Sequence, residues 1–449
     1  MVSNDTIAAI STALGEGAVA VVRLSGPDAV AILGRLFRGA CAVDGMEPRR
    51  QYFGVLEEEG RKLDEVLACV YRRPRSYTGE DVVEISCHGG VLLSRRVLEA
   101  VLARGARPAQ PGEFTQRAFL EGRMDLTQAE AVMDLIAAQS DLALRAATEQ
   151  LEGRLGERLR ALKDGALEVL AHVEAYIDFP DEDIDPDTGA QLLGRLDALE
   201  HGCRELLATA GRGRLLREGV RTVIFGEPNV GKSSLLNLLL GYERAIVSAR
   251  PGTTRDVIEE AVHVRGYALR LVDTAGLRES EDEIECEGME RTRRQLERAD
   301  LALEVFDASQ PRPAVLSGEP QQGQATRVCV LNKVDLGEHP SWAGAEAVRL
   351  SCLRGEGVGE LEAAIVGRID GGRTVKSDWA LAINARHQAG LEKATGFVDA
   401  ARGALKSGLS AEFVAEELRG VLEALGDLVG RTDAEDVLGK IFSSFCIGK

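Results

Sequence analysis

The segment Gly226-Glu-Pro-Asn-Val-Gly-Lys-Ser233 lies between an apolar run, Thr222–Phe225, and a helical run, Ser234–Leu240. A glycine-rich loop between a strand and a helix lets backbone N–H groups surround a phosphate. Lys232 would balance the charge of the β- and γ-phosphates, and the Ser233 hydroxyl would ligate Mg²⁺. The segment therefore predicts a phosphate-binding loop and restricts this part of the chain to a parallel α/β sheet. A glycine-rich loop without function is the weaker interpretation, because strand and helix are both in place.

Two further loops follow in the order that a nucleotide switch requires. The run Leu269–Val272 ends at Asp273, whose carboxylate can hold Mg²⁺ through water. Gly276 follows, and its N–H can sense a γ-phosphate. Between the phosphate loop and Asp273, Thr254 can complete the metal shell.

The segment Asn332-Lys-Val-Asp335 follows an apolar run and indicates which base is bound. The carboxylate of Asp335 can accept hydrogen bonds from guanine N1–H and its 2-amino group together, whereas adenine has no such donor pair. The motif therefore selects GTP. Ser351 begins a loop whose backbone could contact the guanine oxygen.

The group that positions the attacking water is not evident from the motifs. Leu277 stands where a switch GTPase that positions its own water would have Gln, so another group is needed. The acidic stretch 279–285 supplies candidates, although such residues are more often solvated surface. Asn229 could ligate a monovalent cation, or it could be a polar turn former.

Length and composition bound the remaining possibilities. The 449 residues predict two to four domains, and a formal charge of −18 argues against a general binder of phosphate backbones. No apolar stretch long enough to span a membrane occurs, so a cytoplasmic protein is expected. The eight cysteines are too widely spaced for paired zinc ligands. From its residues alone, Cys446 is either a buried apolar contact, the preferred interpretation, or an exposed thiol near Lys449.

Changes in periodicity along the chain predict the domain boundaries. Short β-branched runs in 1–120 indicate an α+β domain, and helical spacing in 121–215 indicates the first part of a helical domain. Alternating strands and helices in 216–372 indicate an α/β domain. Helical spacing returns in 373–449, so the α/β domain is predicted to be inserted into one discontinuous helical domain. Glu304 is a charge within an otherwise apolar strand pattern.

The chain resembles the MnmE (TrmE) family of tRNA-modification GTPases over nearly its whole length. Family-like stretches beyond the common GTPase loops include Val22–Gly26, Tyr77–Asp81, His88–Gly90 and Pro111–Phe114. The ending Ile441–Lys449, which contains Cys446, is the most specific. The resemblance implies an N-terminal folate-binding and dimerisation domain, a discontinuous helical domain and an inserted Ras-like G domain.

The resemblance also implies ligands and roles for individual residues. Binding of 5-formyl- or 5,10-methylene-tetrahydrofolate would involve Arg23, Glu80, Arg123 and Lys449. Arginine and lysine suit the anionic glutamate tail, and Glu80 suits the donor-rich pterin edge. The potassium ligands would be Asn229, Ser248, Arg250 and Thr253, and those of Mg²⁺ would be Ser233, Thr254 and, through water, Asp273. Glu285 would position the attacking water, with Lys232 and Cys446 as the other catalytic residues. The expected GTP contacts are Asn229, Val230, Gly231, Lys232, Ser233, Ser234, Ser248, Thr253, Thr254, Asp273, Gly276, Asn332, Lys333, Asp335 and Ser351.

The resemblance implies a partnership with an FAD-dependent protein of the MnmG type, in a heterotetramer or larger complex. That complex would add a (carboxymethyl)aminomethyl group at C5 of the wobble uridine of tRNA, with the thiol of Cys446 near the folate and the base. Potassium-stimulated pairing of two G domains would drive GTP hydrolysis. Two alternatives are a regulatory GTPase in ribosome assembly and a stand-alone folate-dependent transferase whose G domain only regulates it.

Overall fold

A computed structural model describes residues 5–178, 189–242, 260–272, 294–313, 326–371, 382–430, 441–442, 445–446 and 448. The chain divides into two compact units. Unit 1 contains residues 1–133, 151–196 and 400–449, and unit 2 contains residues 134–150 and 197–399. The boundaries of the four segments predicted from the sequence remain a prediction.

The described strands and helices are as follows in chain order. The strands are β1 (Ile7–Ile10), β2 (Val19–Ser25), β3 (Phe37–Gly39), β4 (Gln51–Glu58), β5 (Arg61–Tyr71), β6 (Val82–His88), β7 (Arg107–Pro108), β8 (Val220–Phe225), β9 (Glu260–Val264), β10 (Tyr267–Leu271), β11 (Leu301–Asp307), β12 (Thr326–Asn332) and β13 (Val348–Arg349). The helices are α1 (Ala29–Leu36), α2 (Val91–Leu102), α3 (Glu113–Leu120), α4 (Leu126–Ala137), α5 (Asp141–Leu151), α6 (Arg154–Asp178), α7 (Gly189–Leu207), α8 (Ala210–Glu218), α9 (Lys232–Tyr242), α10 (Val358–Ile369), α11 (Ala385–Lys406) and α12 (Ala411–Val429).

Unit 1 contains a seven-stranded sheet in the order β3-β4-β5-β6-β2-β1-β7. Its neighbouring strands are antiparallel except β1 and β7, which are parallel. The period of two along β2 places Val22 and Leu24 in a core with Leu33 of α1 and Val97 of α2. Arg23 lies between these two residues in the strand and therefore faces the other side of the sheet. That side also receives α3, whose Phe114 packs with strand β1.

A pair of long helices, α6 and α12, packs together in unit 1. Apolar residues at intervals of three or four face inward, among them Leu159 and Val169 of α6 and Leu418 and Leu425 of α12. This spacing is the helical period that the sequence shows in both segments.

Unit 2 contains a six-stranded sheet in the order β13-β12-β11-β8-β10-β9. All neighbouring strands are parallel except β9 and β10. Parallel strands are buried on both faces, and in β11 every residue except Asp307 at its end is buried. The fold class predicted from the sequence is confirmed. Among the described helices, none is long and apolar enough to cross a membrane.

Glu304 is buried in β11, and the structure supplies a partner that the sequence pattern does not reveal. Arg327 of the neighbouring strand places a guanidinium nitrogen 3.8 Å from the Glu304 carboxylate. The same guanidinium lies over the ring of Phe225, 5.8 Å from its centroid. A cation held beside a buried carboxylate offsets part of the cost of removing that charge from water.

Candidate functional sites

The phosphate loop lies between β8 and α9, at the carboxyl end of the central strand of the unit 2 sheet. Two of its glycines are required by close contacts. A Cβ at Gly226 would lie 2.3 Å from the Val305 carbonyl oxygen, and one at Gly231 would lie 2.2 Å from the Asn332 amide nitrogen. Gly231 also has a φ of 98°, in the left-handed region. Neighbouring strands therefore fix the path of this loop.

Lys232 begins α9, and its side chain folds back over the loop. Its ammonium donates hydrogen bonds to the carbonyl oxygens of Gly226, at 3.1 Å, and Glu227, at 2.8 Å. Burial lowers the pKa of Lys232 from its usual value. Ser233 and Ser234 are exposed in the first turn of the same helix. An ammonium and the N-terminus of a helix at one place form a site for an anion such as phosphate.

Asn332 and Lys333, at the end of β12, brace the phosphate loop directly. The Asn332 amide donates to the Val230 carbonyl at 3.0 Å, and its oxygen accepts from the Cys352 N–H at 3.1 Å. The Lys333 ammonium donates to the Asn229 carbonyl at 2.6 Å and to the Asp307 carboxylate at 2.7 Å. The predicted base-recognition segment and the predicted phosphate loop are thus parts of one site.

Asp335 is held by Ser351, the residue predicted to begin the next nucleotide loop. The Ser351 hydroxyl donates to Asp335 Oδ1 at 2.6 Å, and the Arg354 N–H donates to that hydroxyl at 3.2 Å. Ser351 is fully buried. Burial, with a contribution from Asp335, raises the pKa of the neighbouring Cys352 thiol to about 11, so that thiol is uncharged at neutral pH. Ser351 orients Asp335 and leaves its second oxygen for a ligand.

The structure describes only part of the predicted nucleotide and metal site. Within it, Asn229 is exposed, has a φ of 61°, and makes no hydrogen bond through its side chain to another described residue. Eight predicted residues lie outside the described ranges: Ser248, Arg250, Thr253, Thr254, Asp273, Gly276, Glu285 and Lys449. Among the residues that are described, no cluster of three or more His, Cys, Asp or Glu could hold a metal ion.

Arg23 of β2 is fixed on the sheet face opposite α1 and α2. Its Nε and Nη2 donate to Glu84 Oε1 at 3.0 and 2.7 Å, and Tyr71 donates to the other oxygen of Glu84 at 3.2 Å. The rings of Tyr77 and Phe114 lie 5.4 and 5.8 Å from the guanidinium carbon. Glu84, Tyr71 and these two rings give Arg23 one orientation. The sequence gives no signal for Glu84 and Tyr71, whereas the two rings lie in stretches that resemble the family.

Glu80 belongs to a buried ion-pair network centred on Arg117. Arg117 is 7% exposed and donates to Glu80 at 3.1 Å, to Asp5 at 2.7 Å and to Glu113 at 3.0 Å. Ser25 donates to Glu80 at 2.6 Å. Burial alone would raise the pKa of Glu113, but hydrogen bonds from Arg107 and Arg117 lower it below its usual value. The sequence pattern does not reveal this network, because its members come from separate segments of unit 1.

Arg123, the third described residue of the predicted folate set, lies close to Glu80 along the surface. A Cβ at Gly79 would lie 3.5 Å from the Arg123 Cγ atom. Arg123 is exposed, and its guanidinium forms no ion pair with any other described residue. An unpaired guanidinium beside the Glu80 loop is suited to an anionic ligand.

The C-terminal segment packs on the N-terminal sheet within unit 1. Phe442 and Phe445 join a core with Phe119 of α3. The Gly112 N–H donates to the Cys446 carbonyl at 3.4 Å, and the Ser11 hydroxyl donates to the Gly448 carbonyl at 3.1 Å. The Cys446 side chain is exposed, so the interpretation of this cysteine as a buried apolar contact is wrong. Gly112 contacts this segment, and Phe114, two residues further on, contacts Arg23, so the start of α3 lies between the two.

Replacing Gly112 with alanine is expected to release the C-terminal segment. Gly112 has a φ of 68°, and an added Cβ would lie 2.8 Å from the Phe442 carbonyl oxygen. Gly122 is a matched control, since it has the same φ and no atom within 4 Å of an added Cβ. Both substitutions carry a backbone cost of about 1 kcal/mol, but only the first meets the tail. Hydrogen exchange of residues 441–448 should rise only for Gly112→Ala; equal exchange in the two variants would contradict this packing.

The phosphate loop, the braced Asn332 segment and the carboxylate of Asp335 define a GTP-binding protein of the P-loop class, here in one chain with an α+β domain. A family model described as the MnmE helical domain matches residues 126–446, and one described as the GTP-binding protein TrmE N-terminus matches residues 6–123. The chain belongs to the MnmE family of tRNA modification GTPases.

Individual relatives match this chain over nearly its full length. The tRNA modification GTPase MnmE of Akkermansia muciniphila is 53% identical, with 99% of each chain covered. That of Opitutus terrae is 47% identical, again with 99% of each chain covered. Among solved structures, the G domain of FeoB from Methanococcus jannaschii is 24% identical, covers 34% of this chain and 98% of its own length, and has a TM-score of 0.23.

Proposed function

We propose that this protein is the GTP-hydrolysing subunit of a cytoplasmic tRNA-modification complex. With an FAD-dependent partner of the MnmG type, it would add a (carboxymethyl)aminomethyl group at C5 of the wobble uridine, using a one-carbon unit from tetrahydrofolate. The protein would act as a homodimer in a heterotetramer or larger complex. The relatives that match along the full chain are named tRNA modification GTPases, and this name supports the RNA substrate.

One observation carries the proposal: Cys446 is exposed, and its backbone is anchored to Gly112 at the start of α3, the helix whose Phe114 lies beside Arg23. The anchor consists of the Gly112–Cys446 and Ser11–Gly448 hydrogen bonds and the packing of Phe445. A GTPase that serves only as a switch has no need of a thiol held in this way. A reacting thiol must be accessible, and this one is.

The described residues fit a reduced folate. The Arg123 guanidinium, which pairs with none of the residues that the structure describes, suits the anionic tail of that ligand. The carboxylate of Glu80 accepts from Arg117 and Ser25 and keeps lone pairs for the donor-rich edge of a pterin. The folate would supply the one-carbon unit when bound, while Arg23, Glu80 and Arg123 bind and orient it.

The phosphate loop fits a nucleotide with its ions. Lys232 would bind the β- and γ-phosphates, and the exposed Ser233 hydroxyl would be one ligand of Mg²⁺, with Thr254 and Asp273 completing the set. Asn229 offers an exposed amide oxygen, and oxygen atoms are the ligands that hard cations prefer. We assign this amide to K⁺, together with Ser248, Arg250 and Thr253, and the positioning of water to Glu285.

Potassium should accelerate GTP hydrolysis relative to sodium at equal ionic strength, because an added cation near the phosphates stabilises charge in the transition state. Asn229→Ala should reduce the ratio of the hydrolysis rates in potassium and in sodium by about tenfold or more. Asn237→Ala, a matched change at an exposed position of α9, should keep it. Steady-state hydrolysis in the two salts measures the effect, and equal rates for the unaltered protein would remove Asn229 from the cation site.

Reconstitution with purified components tests the proposed function. The full chain, the FAD-dependent partner, tRNA, GTP, 5,10-methylene-tetrahydrofolate and an amine, either glycine or ammonium, should together produce the C5-modified wobble uridine, detected by nucleoside mass spectrometry. The amine nitrogen bonds to the one-carbon unit as that unit replaces the C5 proton of uridine. Omitting any one component should abolish the product, and Cys446→Ser should do so with GTP hydrolysis retained. Full modification by Cys446→Ser would remove the thiol from the reaction, and product formed without the partner would favour a stand-alone transferase.

A further inference from the structure

Charge is distributed unevenly along this acidic chain. The first 123 residues contain 16 basic and 16 acidic residues, whereas the whole chain has 54 basic and 72 acidic ones. The entire acidic excess therefore lies after residue 123. The N-terminal part of unit 1 is the part of the protein that a polyanion could approach at the lowest electrostatic cost.

Four arginines of this part meet at one end of the sheet: Arg49, Arg50, Arg73 and Arg75, here called the arginine surface. The register pairs Gln51 of β4 with Cys69 of β5, and Tyr71 of β5 with Val82 of β6. The loop before β4 and the loop between β5 and β6 therefore lie at the same end. All four arginines are exposed.

Hydrogen bonds hold the two loops of the arginine surface together. The Arg49 N–H donates to the Val70 carbonyl at 2.8 Å, and its guanidinium donates to the Arg75 carbonyl at 3.0 Å. The Ser76 hydroxyl donates to the Glu80 carbonyl at 2.5 Å, which ties the second loop to the predicted folate residue. These hydrogen bonds hold in place the loops that carry the four guanidinium groups. The second of these loops leads directly to Glu80.

Acidic groups neutralise the arginine surface only in part. Asp81 is occupied by Arg72 and by the Arg73 N–H. Glu47 pairs with Arg50 at 3.2 Å in an exposed ion pair, and Glu121 lies 4.0 Å from Arg73. Arg75 has no ion pair with any residue that the structure describes. Exposed ion pairs contribute at most about 1 kcal/mol, so a phosphate can replace them.

We propose that the arginine surface binds the phosphodiester backbone of the tRNA substrate. This inference rests on the proposed function, in which the tRNA binds near Glu80 and Arg23. The planar guanidinium matches phosphate oxygens in a two-pronged hydrogen bond. Four such groups on two loops suit a chain of successive phosphates, whereas the single folate tail already has Arg123. The contacts position the RNA and do not read its sequence.

Binding of tRNA to the full chain tests the proposal. The double variant Arg73→Gln/Arg75→Gln removes two charges, and Arg95→Gln/Arg96→Gln removes two from exposed positions near the start of α2, at the opposite end of the sheet. Fluorescence anisotropy from about 50 to 200 mM salt should show binding about tenfold weaker for the first variant. Its log–log salt slope should be shallower by about 2, because each lost phosphate contact removes about 0.9. The second variant should match the unaltered protein.

Two results would overturn the proposal. One is equal affinity and slope in the two double variants, and the other is failure of the unaltered chain to bind tRNA at about 50 mM salt. Unchanged tRNA binding with weaker binding of a poly-γ-glutamyl folate would assign the surface to the cofactor tail instead. Arg75→Gln alone should make the slope shallower by about 1. Because this change breaks no described ion pair, it separates the effect of charge loss from that of misfolding. None of these outcomes alters the reconstitution test of the proposed function.

Discussion

Asp335→Asn is expected to convert a GTP-specific protein into one that prefers xanthosine triphosphate. The carboxylate oxygen left free by Ser351 would accept from the guanine N1–H and 2-amino groups, and an asparagine amide would instead present a donor to that amino group. Xanthine has a carbonyl oxygen at the same position and accepts from the amide. A site built on hydrogen bonds rejects the wrong partner strongly, so GTP affinity should fall by about 10³-fold.

Competition between GTP and xanthosine triphosphate for the full chain measures this exchange of specificity. Glu338→Gln is the matched control, because it removes a nearby carboxylate that pairs with Arg349 at 2.8 Å and not with the predicted base site. The control should keep the preference for GTP. An Asp335→Asn protein that also keeps it would remove Asp335 from the base site.

Arg117→Ala is expected to cause a large loss of local stability in unit 1. The substitution leaves the buried carboxylates of Glu80 and Glu113, together with Asp5, without their shared cation. Breaking a buried ion network by removing one partner costs about 3–5 kcal/mol, because the remaining charges stay desolvated. Hydrogen exchange of α3 and of residues 76–81 in the full chain should accelerate accordingly.

Arg72→Ala provides the comparison within the same domain. Arg72 pairs with Asp81 at 2.8 Å, but its side chain is 40% exposed, so the loss should stay below about 1 kcal/mol. Equal acceleration of exchange in the two variants would mean that burial does not set the strength of the Arg117 network.

The nucleotide site could be predicted from the sequence because its parts are local. The phosphate loop needs only a strand, a few glycines and a helix in succession, and the structure has β8 and α9 around Gly226 and Gly231. The sequence did not show that Asn332 and Lys333 hold the phosphate loop through Val230 and Asn229. Those bonds join the end of β12 to a loop that lies 102 and 104 residues earlier in the chain.

For the predicted folate site, the sequence indicated single residues but not the contacts between them. Arg23 and Glu80 follow from the family resemblance, whereas Arg117 acquires its role by joining Glu113 of its own helix to Asp5 and Glu80 from two other segments. Neither spacing nor periodicity encodes such long-range pairing. Glu304 is a similar case, since its partner Arg327 lies on the neighbouring strand.

Nucleoside mass spectrometry of tRNA from cells that lack this protein tests the central claim most directly. Deletion should remove the C5-aminomethyl-type modification of wobble uridine, and complementation with the unaltered chain should restore it. Complementation with Cys446→Ser should fail. A wobble uridine that remains fully modified after deletion would contradict the account.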